Sequence, residues 1–340
     1  MKKELFTFTG TAGNSLSAVI WLPEKTPKLL FQITHGMTEH MGRYEKLAEK
    51  LTEQGIVTAG FDLPGHGRNP GCPDCASLGE AGWTQTLADM QAFSEQLTSR
   101  FAGVPLVLMG FSLGSFLVRD YLSSGYTLPS AAVIMGTGTQ PSLLLSGIKK
   151  LVEREIKKEG FNNTTPLIHK LSFETYNQKF KPAGTDFDWL CSDEQELEAY
   201  MSDPLRRANI SSGLFWQLLD AMQRTAQPEA YASLPKEFPV LLLSGAADPV
   251  GSFGEGVKTV AKIMKKAGMN NVQLKLIAHA RHDVFHELQS GAADEMTELL
   301  LSFLHPFFLR PVLPQPLRFP ADFAVGAVRV RQQTRQSKKE

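Results

Sequence analysis

Hydrophobic residues along this chain form a series of short, nearly continuous runs separated by more polar segments. The runs span residues 29–33, 56–61, 105–111, 131–135, 240–243 and 272–277. Runs of this length and composition are typical of strands that are buried on both faces, as in a parallel sheet. Two alternating segments, residues 5–9 and 17–21, precede them and flank a Gly-Thr-Ala-Gly-Asn turn, so they predict an antiparallel hairpin.

Stretches with helical periodicity lie between these runs. They cover residues 43–54, 83–100, 114–123, 256–267 and 287–304. Because strand and helix alternate along most of the chain, we predict an α/β fold with a mostly parallel central sheet flanked by helices.

The alternation stops between residues 136 and 238, where no strand pattern is present. We predict a helical cap here, inserted between two parts of the core at residues 1–135 and 239–305. The insertion contains an amphipathic stretch and several bulky aromatic side chains. The aromatic residues are Phe161, Phe173, Tyr176, Phe187, Trp189, Phe215 and Trp216. Two interpretations stay open: they line an active site, or they form only the small core of the insertion.

The composition changes again after residue 305. Residues 306–340 are rich in proline and then in arginine and lysine, so we predict a poorly ordered basic tail. A solvated terminus without a role is the simplest interpretation. A transient contact with acidic lipid headgroups at a membrane surface is the alternative.

Charge and composition narrow the class of partner. Lys and Arg together number 35, as do Asp and Glu, so the formal net charge is zero. Because a chain without net charge has no overall electrostatic field that would attract a polyanion, we expect a small-molecule partner and no nucleic acid. No apolar run approaches the ~18 residues of a membrane-spanning helix, and the first residues do not resemble a signal peptide. With only three cysteines, the chain is expected to be cytoplasmic.

Cys72 and Cys75 have the spacing of a redox or zinc pair. A structural zinc site needs about four ligands, and the sequence offers no second pair. We therefore predict no metal site and interpret the segment as a surface loop.

The strongest chemical signal is Gly110-Phe111-Ser112-Leu113-Gly114, which lies between an apolar run and a helical segment. In a Gly-x-Ser-x-Gly elbow the serine occupies a sharp, strained turn, and side chains at the glycines would collide with neighbouring backbone. We predict that Ser112 is a nucleophile. A simple helix-capping serine would not require both glycines.

A serine nucleophile needs a base, and the base needs an acid to hold its tautomer. Asp248 follows the run at 240–243, and His282 follows the run at 272–277, so both are expected at the carboxyl edge of the sheet. His279 and His286 compete for the role of base, and the loop position favours His282. Ser, Asp, His is also the chain order of α/β-hydrolases.

Two backbone N–H groups are expected to stabilise the oxyanion of an acyl-transfer transition state. The first is that of Leu113, directly after the nucleophile. The second is predicted at Met37, in the loop after an early strand. The preceding His35-Gly36 pair is equally typical of a plain turn at a strand end.

Five segments together resemble the monoacylglycerol lipase and lysophospholipase family, which is often labelled serine aminopeptidase-like α/β-hydrolases. They are His35-Gly36-Met37-Thr38-Glu39-His40-Met41-Gly42-Arg43-Tyr44, Asp62-Leu63-Pro64-Gly65-His66-Gly67-Arg68, Gly110-Phe111-Ser112-Leu113-Gly114, Asp248-Pro249-Val250-Gly251 and Ala280-Arg281-His282. The resemblance covers residues from about 15 to 304 and strengthens the assignment of His282 as the base.

The resemblance implies an α/β-hydrolase fold with a helical cap, a membrane-derived ester substrate and no cofactor. It implies a structural role in the loops for Glu39, His40, Arg43, Asp62 and His66. The sequence departs from the family at Phe111 and Leu113, where His and Met are frequent, and at Ser115, where Gly is frequent. These differences alter packing near the acyl pocket, and so the chain-length preference does not carry over.

The leading hypothesis is a serine esterase that cleaves monoacylglycerol, lysophospholipid or a similar lipid-like ester through an acyl-enzyme. An aminopeptidase is the second hypothesis, since Glu194, Glu196 and Glu198 could bind an amino group, although they equally suit a solvated helix face. A non-catalytic small-molecule receptor is the third, but such receptors usually lack a member of the triad. The sequence does not indicate the oligomeric state, head group or chain length.

Overall fold

The computed structural model describes residues 1–71 and 75–309. The strands in this part of the chain are β1 (Lys2–Thr9), β2 (Ser15–Leu22), β3 (Leu29–Thr34), β4 (Ile56–Phe61), β5 (Cys75–Ala76), β6 (Leu106–Phe111), β7 (Ala131–Met135), β8 (Asn209–Ile210), β9 (Val240–Gly245) and β10 (Val272–Ile277). The helices are α1 (Glu45–Glu53), α2 (Gly82–Arg100), α3 (Leu113–Ser123), α4 (Ser142–Glu159), α5 (Pro166–His169), α6 (Thr175–Asn177), α7 (Glu194–Ser202), α8 (Ser212–Arg224), α9 (Glu255–Lys266) and α10 (Ala292–Leu304).

Eight strands form one sheet in the order β1-β2-β4-β3-β6-β7-β9-β10. Strand β2 is antiparallel to β1 and β4, and the remaining neighbours are parallel. Thr34 pairs with Gly110, and Phe111 pairs with Met135, so β3, β6 and β7 end at one edge. The predicted mostly parallel sheet is confirmed.

The helices cover both faces of the sheet, as buried strands require. On one face, Phe93 of α2 and Leu117 of α3 belong to a core cluster that also includes Val260 of α9. On the other face, Leu51 of α1 and Leu300 of α10 belong to a second cluster. The fold thus has three layers, and the loops at the sheet edge lie between them.

Three details differ from the sequence prediction. Strand β10 is the edge of the sheet, so Gln273 and Lys275 are exposed rather than buried. Helix α10 begins at Ala292, because a 3₁₀ turn at Val284–His286 and a loop precede it. The short strand β8 lies where no strand was predicted, and it pairs with β5.

Helices α4 to α8 occupy the segment between β7 and β9, which we call the helical insertion (residues 136–238). A π-helical turn at Lys170–Glu174 and 3₁₀ turns at Gln178–Phe180 and Pro228–Tyr231 interrupt it. Its division from the core at residues 135 and 239 stays a prediction.

The start of the predicted tail needs a correction. Residues 306–309 belong to a 3₁₀ turn, His305–Leu309, and Phe307 is buried in the core on the α1 and α10 side. Residues 310–340 and Cys72 lie outside the described residues, so the remaining prediction for the tail and that for the cysteine pair are untested. No helix in the described part of the chain is both long enough and apolar enough to cross a membrane.

Candidate active site

Ser112 lies at the turn between β6 and α3. Its backbone has φ 50° and ψ −116°, a conformation that residues other than glycine rarely adopt. Its N–H donates to the Met135 carbonyl oxygen at 3.0 Å, which ties the turn to the end of β7. The strained serine that the sequence predicts is therefore present at the carboxyl edge of the sheet.

The two glycines of the elbow are required by close backbone contacts. A Cβ on Gly110 would lie 2.1 Å from the Gly114 carbonyl oxygen, and one on Gly114 would lie 1.9 Å from the Thr34 carbonyl oxygen. Because Gly114 allows α3 to approach the end of β3, the loop that carries Met37 lies beside the elbow.

Asp248 and His282 come together beneath this edge, with exposures of 0% and 1%. His282 Nδ1 is 2.9 Å from Asp248 Oδ1, which is within ion-pair distance. Asp248 also accepts hydrogen bonds from the Ser244 hydroxyl at 3.0 Å and the Val250 N–H at 2.8 Å. The serine binds Oδ2, whereas the Val250 N–H binds Oδ1, the same oxygen that faces the imidazole, so both oxygens of the carboxylate are held in place.

The other two histidines of this region occupy different environments. His279 is exposed, with a φ of 61°. His286 Nδ1 lies 2.8 Å from Asp283 Oδ2, away from Asp248. The geometry therefore pairs Asp248 with His282, as the sequence predicts.

A cavity of about 300 Å³ opens at the elbow and is lined by Met37, Ser112, Leu113 and His282 together with residues of the helical insertion. A Cβ on Gly136 would lie 2.9 Å from His282 Cε1, so the end of β7 contacts both the elbow and the imidazole. The structure thus brings the predicted nucleophile, base and two oxyanion donors to the same cavity, with Asp248 buried behind the base.

A sequence model described as "Serine aminopeptidase, S33" matches residues 25–289. The chain belongs to this family.

Human monoglyceride lipase is 27% identical to this chain over 291 residues, which cover 81% of this chain and 86% of the relative. The monoacylglycerol lipase of Mycolicibacterium smegmatis is 23% identical over 303 residues, which cover 88% and 97%. A carboxyl esterase from Bacillus coagulans, solved in complex with glycerol, superposes with a TM-score of 0.79 at 21% identity and covers 91% of this chain and 100% of its own. At this identity the superposition shows that the fold is shared.

In this S33-family chain, the aromatic residues of the helical insertion divide between the two proposed roles. Phe173, Tyr176, Trp189 and Phe215 line the cavity. Phe161 instead packs against Gly213, inside the insertion. The cluster therefore does not form only the core of the insertion, and its role at an active site stays a prediction.

The ring of His282 packs against two aromatic rings. Phe111 is 4.9 Å from it, between ring centroids, and Trp189 is 5.2 Å from it. Burial raises the pKa of the neighbouring Tyr176 to about 12, with a further contribution from the charge of Asp248. The aromatic side chains around His282 are thus uncharged at neutral pH.

Arg43 joins the loop that carries Met37 to the loop that carries His282, which agrees with the structural role that the resemblance implied for it. Its Nε donates to Glu39 at 3.0 Å, and its Nη2 donates to Asp283 at 2.7 Å. Glu39 in turn accepts the Gly36 N–H at 2.6 Å. Burial alone would raise the pKa of Asp283, but His286 and Arg43 outweigh it and hold that pKa well below its usual range.

Arg119 is a residue that sequence reasoning missed. It is fully buried on α3, and it donates to the carbonyl oxygens of Gly138 at 2.8 Å and Thr225 at 3.1 Å. Since both partners belong to the helical insertion, Arg119 links the insertion to α3, the helix that follows Ser112. Its place after the apolar run 116–118, in a segment predicted to be a helix, was the available signal.

Proposed function

We propose that this chain is a serine hydrolase that cleaves single-chain acyl esters, such as monoacylglycerols or lysophospholipids. The observation that carries the proposal is the chemistry of the cavity at Ser112, whose walls are mostly apolar. Each methylene buried against such walls contributes about 0.8 kcal/mol, so an acyl chain gains binding energy there. The names of the monoglyceride lipase relatives favour the same substrate class.

The carboxylates near the cavity argue against an aminopeptidase, which needs an acidic group for the substrate's amino terminus. Among the described lining residues the carboxylate is Glu39. Its oxygens already accept hydrogen bonds from the Gly36 N–H, the Tyr44 hydroxyl and Arg43, at 2.6, 2.6 and 3.0 Å. This charge is therefore neutralised within the protein.

The three glutamates considered for an amino-group site do not line the cavity. Glu194 and Glu198 are exposed on α7, and Glu196 forms an ion pair with Lys46. They suit the interpretation of a solvated helix face.

In the proposed acylation step, His282 takes the hydroxyl proton of Ser112 while Oγ attacks the ester carbonyl carbon. Asp248 holds the imidazole and stabilises its protonated form. The N–H groups of Met37 and Leu113 stabilise the oxyanion. As the intermediate collapses, the bond to the alcohol oxygen breaks and His282 gives the proton to the departing alcohol.

In the proposed deacylation step, water replaces the alcohol. His282 takes a proton from the water, whose oxygen attacks the acyl carbon, and the proton then returns to Ser112 as the fatty acid leaves. The two steps need only these side chains, backbone N–H groups and water, so we propose no cofactor or metal.

We further propose that the helical insertion acts as a cap over the cavity, that the protein works in the cytoplasm, and that nucleic acid is not a partner. The first proposal is supported by the insertion residues that line the cavity. The other two rest on the low cysteine content and the zero net charge. Because the net charge is zero, we also propose that the described residues make no lasting contact with a membrane surface.

Trapping the acyl-enzyme tests the proposal. Brief reaction with a long-chain p-nitrophenyl ester, acid quenching and peptide mass spectrometry should show one acyl group on the peptide that contains Ser112. A burst of p-nitrophenol equal to the enzyme concentration should accompany it. Turnover without any acylated peptide, or an acyl group on another residue, would overturn the mechanism.

A further inference from the structure

Trp189 combines three properties that are unusual for a residue in an apolar cavity. It lines the cavity, and only 5% of its surface is exposed. Its ring lies 5.2 Å from that of His282. Its indole N–H is buried without a hydrogen-bond partner among the described residues. A buried donor without a partner costs about 1–3 kcal/mol, so such a group in a binding cavity calls for an acceptor.

The other buried polar side chains of the cavity are satisfied internally. The Thr38 hydroxyl interacts with the Met37 carbonyl oxygen and the Tyr200 hydroxyl, and the Ser172 hydroxyl donates to the Ile168 carbonyl oxygen. Within residues 1–71 and 75–309, the buried cavity-lining side chains that lack a partner are Trp189 and the base itself.

The backbone of Trp189 is fixed to the loop of the base. Its N–H donates to Asn177 Oδ1 at 3.0 Å, and its carbonyl oxygen accepts the His282 N–H at 3.4 Å. The next residue, Leu190, accepts the Asp283 N–H at 2.7 Å. The indole therefore keeps its position relative to the imidazole without help from its own N–H.

Resting on the proposed ester hydrolysis, we propose that the Trp189 N–H donates a hydrogen bond to an oxygen of the substrate's alcohol part. The ester carbonyl oxygen must lie at Met37 and Leu113, and the acyl chain carries no other oxygen. The alcohol part lies beside His282, which must protonate the departing oxygen. Trp189 adjoins that position, so it selects alcohols with further hydroxyl or ester oxygens, such as glycerol.

The test compares two esters of the same fatty acid, a glycerol monoester and a methyl ester, on Trp189→Phe. This change keeps an aromatic ring and removes the N–H. The ratio of kcat/KM for the glycerol ester to that for the methyl ester should fall roughly three- to tenfold. Trp216→Phe is the matched control, because Trp216 lies outside this cavity and its N–H donates to Glu153 at 3.0 Å. It should leave the ratio unchanged.

An unchanged ratio in Trp189→Phe, or an equal loss on both esters, would overturn the inference in favour of simple packing on His282. If thermal melting shows that Trp189→Phe does not fold, site-specific 3-benzothienylalanine replaces it, since it keeps the bicyclic ring and exchanges the N–H for sulfur. The same ratio and the same outcomes apply.

A binding measurement separates this inference from the proposed function. In Ser112→Ala protein, calorimetry of a 1-O-alkylglycerol against the matching alkyl methyl ether should show tighter binding of the glycerol ether, and Trp189→Phe should reduce that preference three- to tenfold. A preference that persists would refute the inference. Wild-type protein that cleaves neither ester would refute the function, while the calorimetry would still test the role of Trp189.

Discussion

The sheet edge and the helical insertion build opposite walls of one cavity in different ways. At the sheet edge, strand ends and glycines without room for a side chain fix Ser112 and the loops of Asp248 and His282. In the helical insertion, helices and turns supply apolar surface to the cavity. Under the proposed function, the first region carries the chemistry and the second carries the selectivity.

The largest effect should follow from removing the nucleophile in the sheet-edge region. Ser112→Ala should lower ester turnover by about 10⁶-fold and abolish labelling by a fluorophosphonate probe, because only binding and oxyanion stabilisation would remain. Ser115→Ala is the matched control one helical turn on, and it should keep its label. Persistent labelling of Ser112→Ala would show that the elbow is not the reactive site.

Replacing each of the two buried aspartates near His282 should have a different effect, one mainly on activity and the other mainly on stability. Asp248→Asn should reduce kcat by about 10⁴-fold, because the imidazole loses its orienting acid. Asp283→Asn should lower activity far less but destabilise the fold by about 3 kcal/mol, because the buried Arg43 loses one of its two carboxylates. Kinetics and urea unfolding of both variants measure this. A larger loss of kcat in Asp283→Asn would mean that it is the catalytic acid.

The sheet-edge loops should also make the fold sensitive to acid. Burial, with a smaller contribution from His35, lowers the pKa of His66 to about 3. Between that value and the unfolded pKa of about 6.5, the unfolded chain binds a proton that the folded chain does not, so stability falls as pH falls. At pH 5 the loss from this group is about 2 kcal/mol. Urea unfolding of His66→Gln should show a shallower decline below pH 6.5, and an identical profile would contradict the assignment.

The smallest effect should come from the helical insertion. Leu144 lines the cavity and is half exposed, whereas the neighbouring Leu143 is 86% exposed and does not line it. Leu144→Ala should lower kcat/KM for long-chain esters about threefold, from partial loss of apolar contact, and spare short-chain esters. Leu143→Ala is the control. Equal effects of both variants, or a loss independent of chain length, would argue against an acyl-binding role for α4.

The same contrast between the regions explains what the sequence could predict. Strands buried on both faces appear in the sequence as apolar runs. The Gly-x-Ser-x-Gly pattern and the ends of those runs then predict the positions of Ser112, Asp248 and His282. Strand β10 was predicted at the right residues, but its burial on both faces was wrong. Its apolar residues alternate with exposed Gln273 and Lys275, because it lies at the edge of the sheet.

The structure of the helical insertion was harder to predict, because the local sequence pattern does not indicate which surfaces its helices pack against. The amphipathic α4 was evident, but β8 is too short to show periodicity, and it exists only by pairing with distant β5. Likewise, the link from Arg43 to Asp283 joins residues 240 positions apart, and only the folded chain brings them together.

The most direct test of the central claim, an acyl-ester hydrolase rather than an aminopeptidase, is one kinetic comparison. Values of kcat/KM are measured for glycerol monoesters of increasing chain length and for alanyl and prolyl anilides under the same conditions. The account predicts values that climb with chain length until the cavity is filled, and every ester that reaches this plateau should exceed both anilides. Faster cleavage of either anilide than of any ester would contradict it.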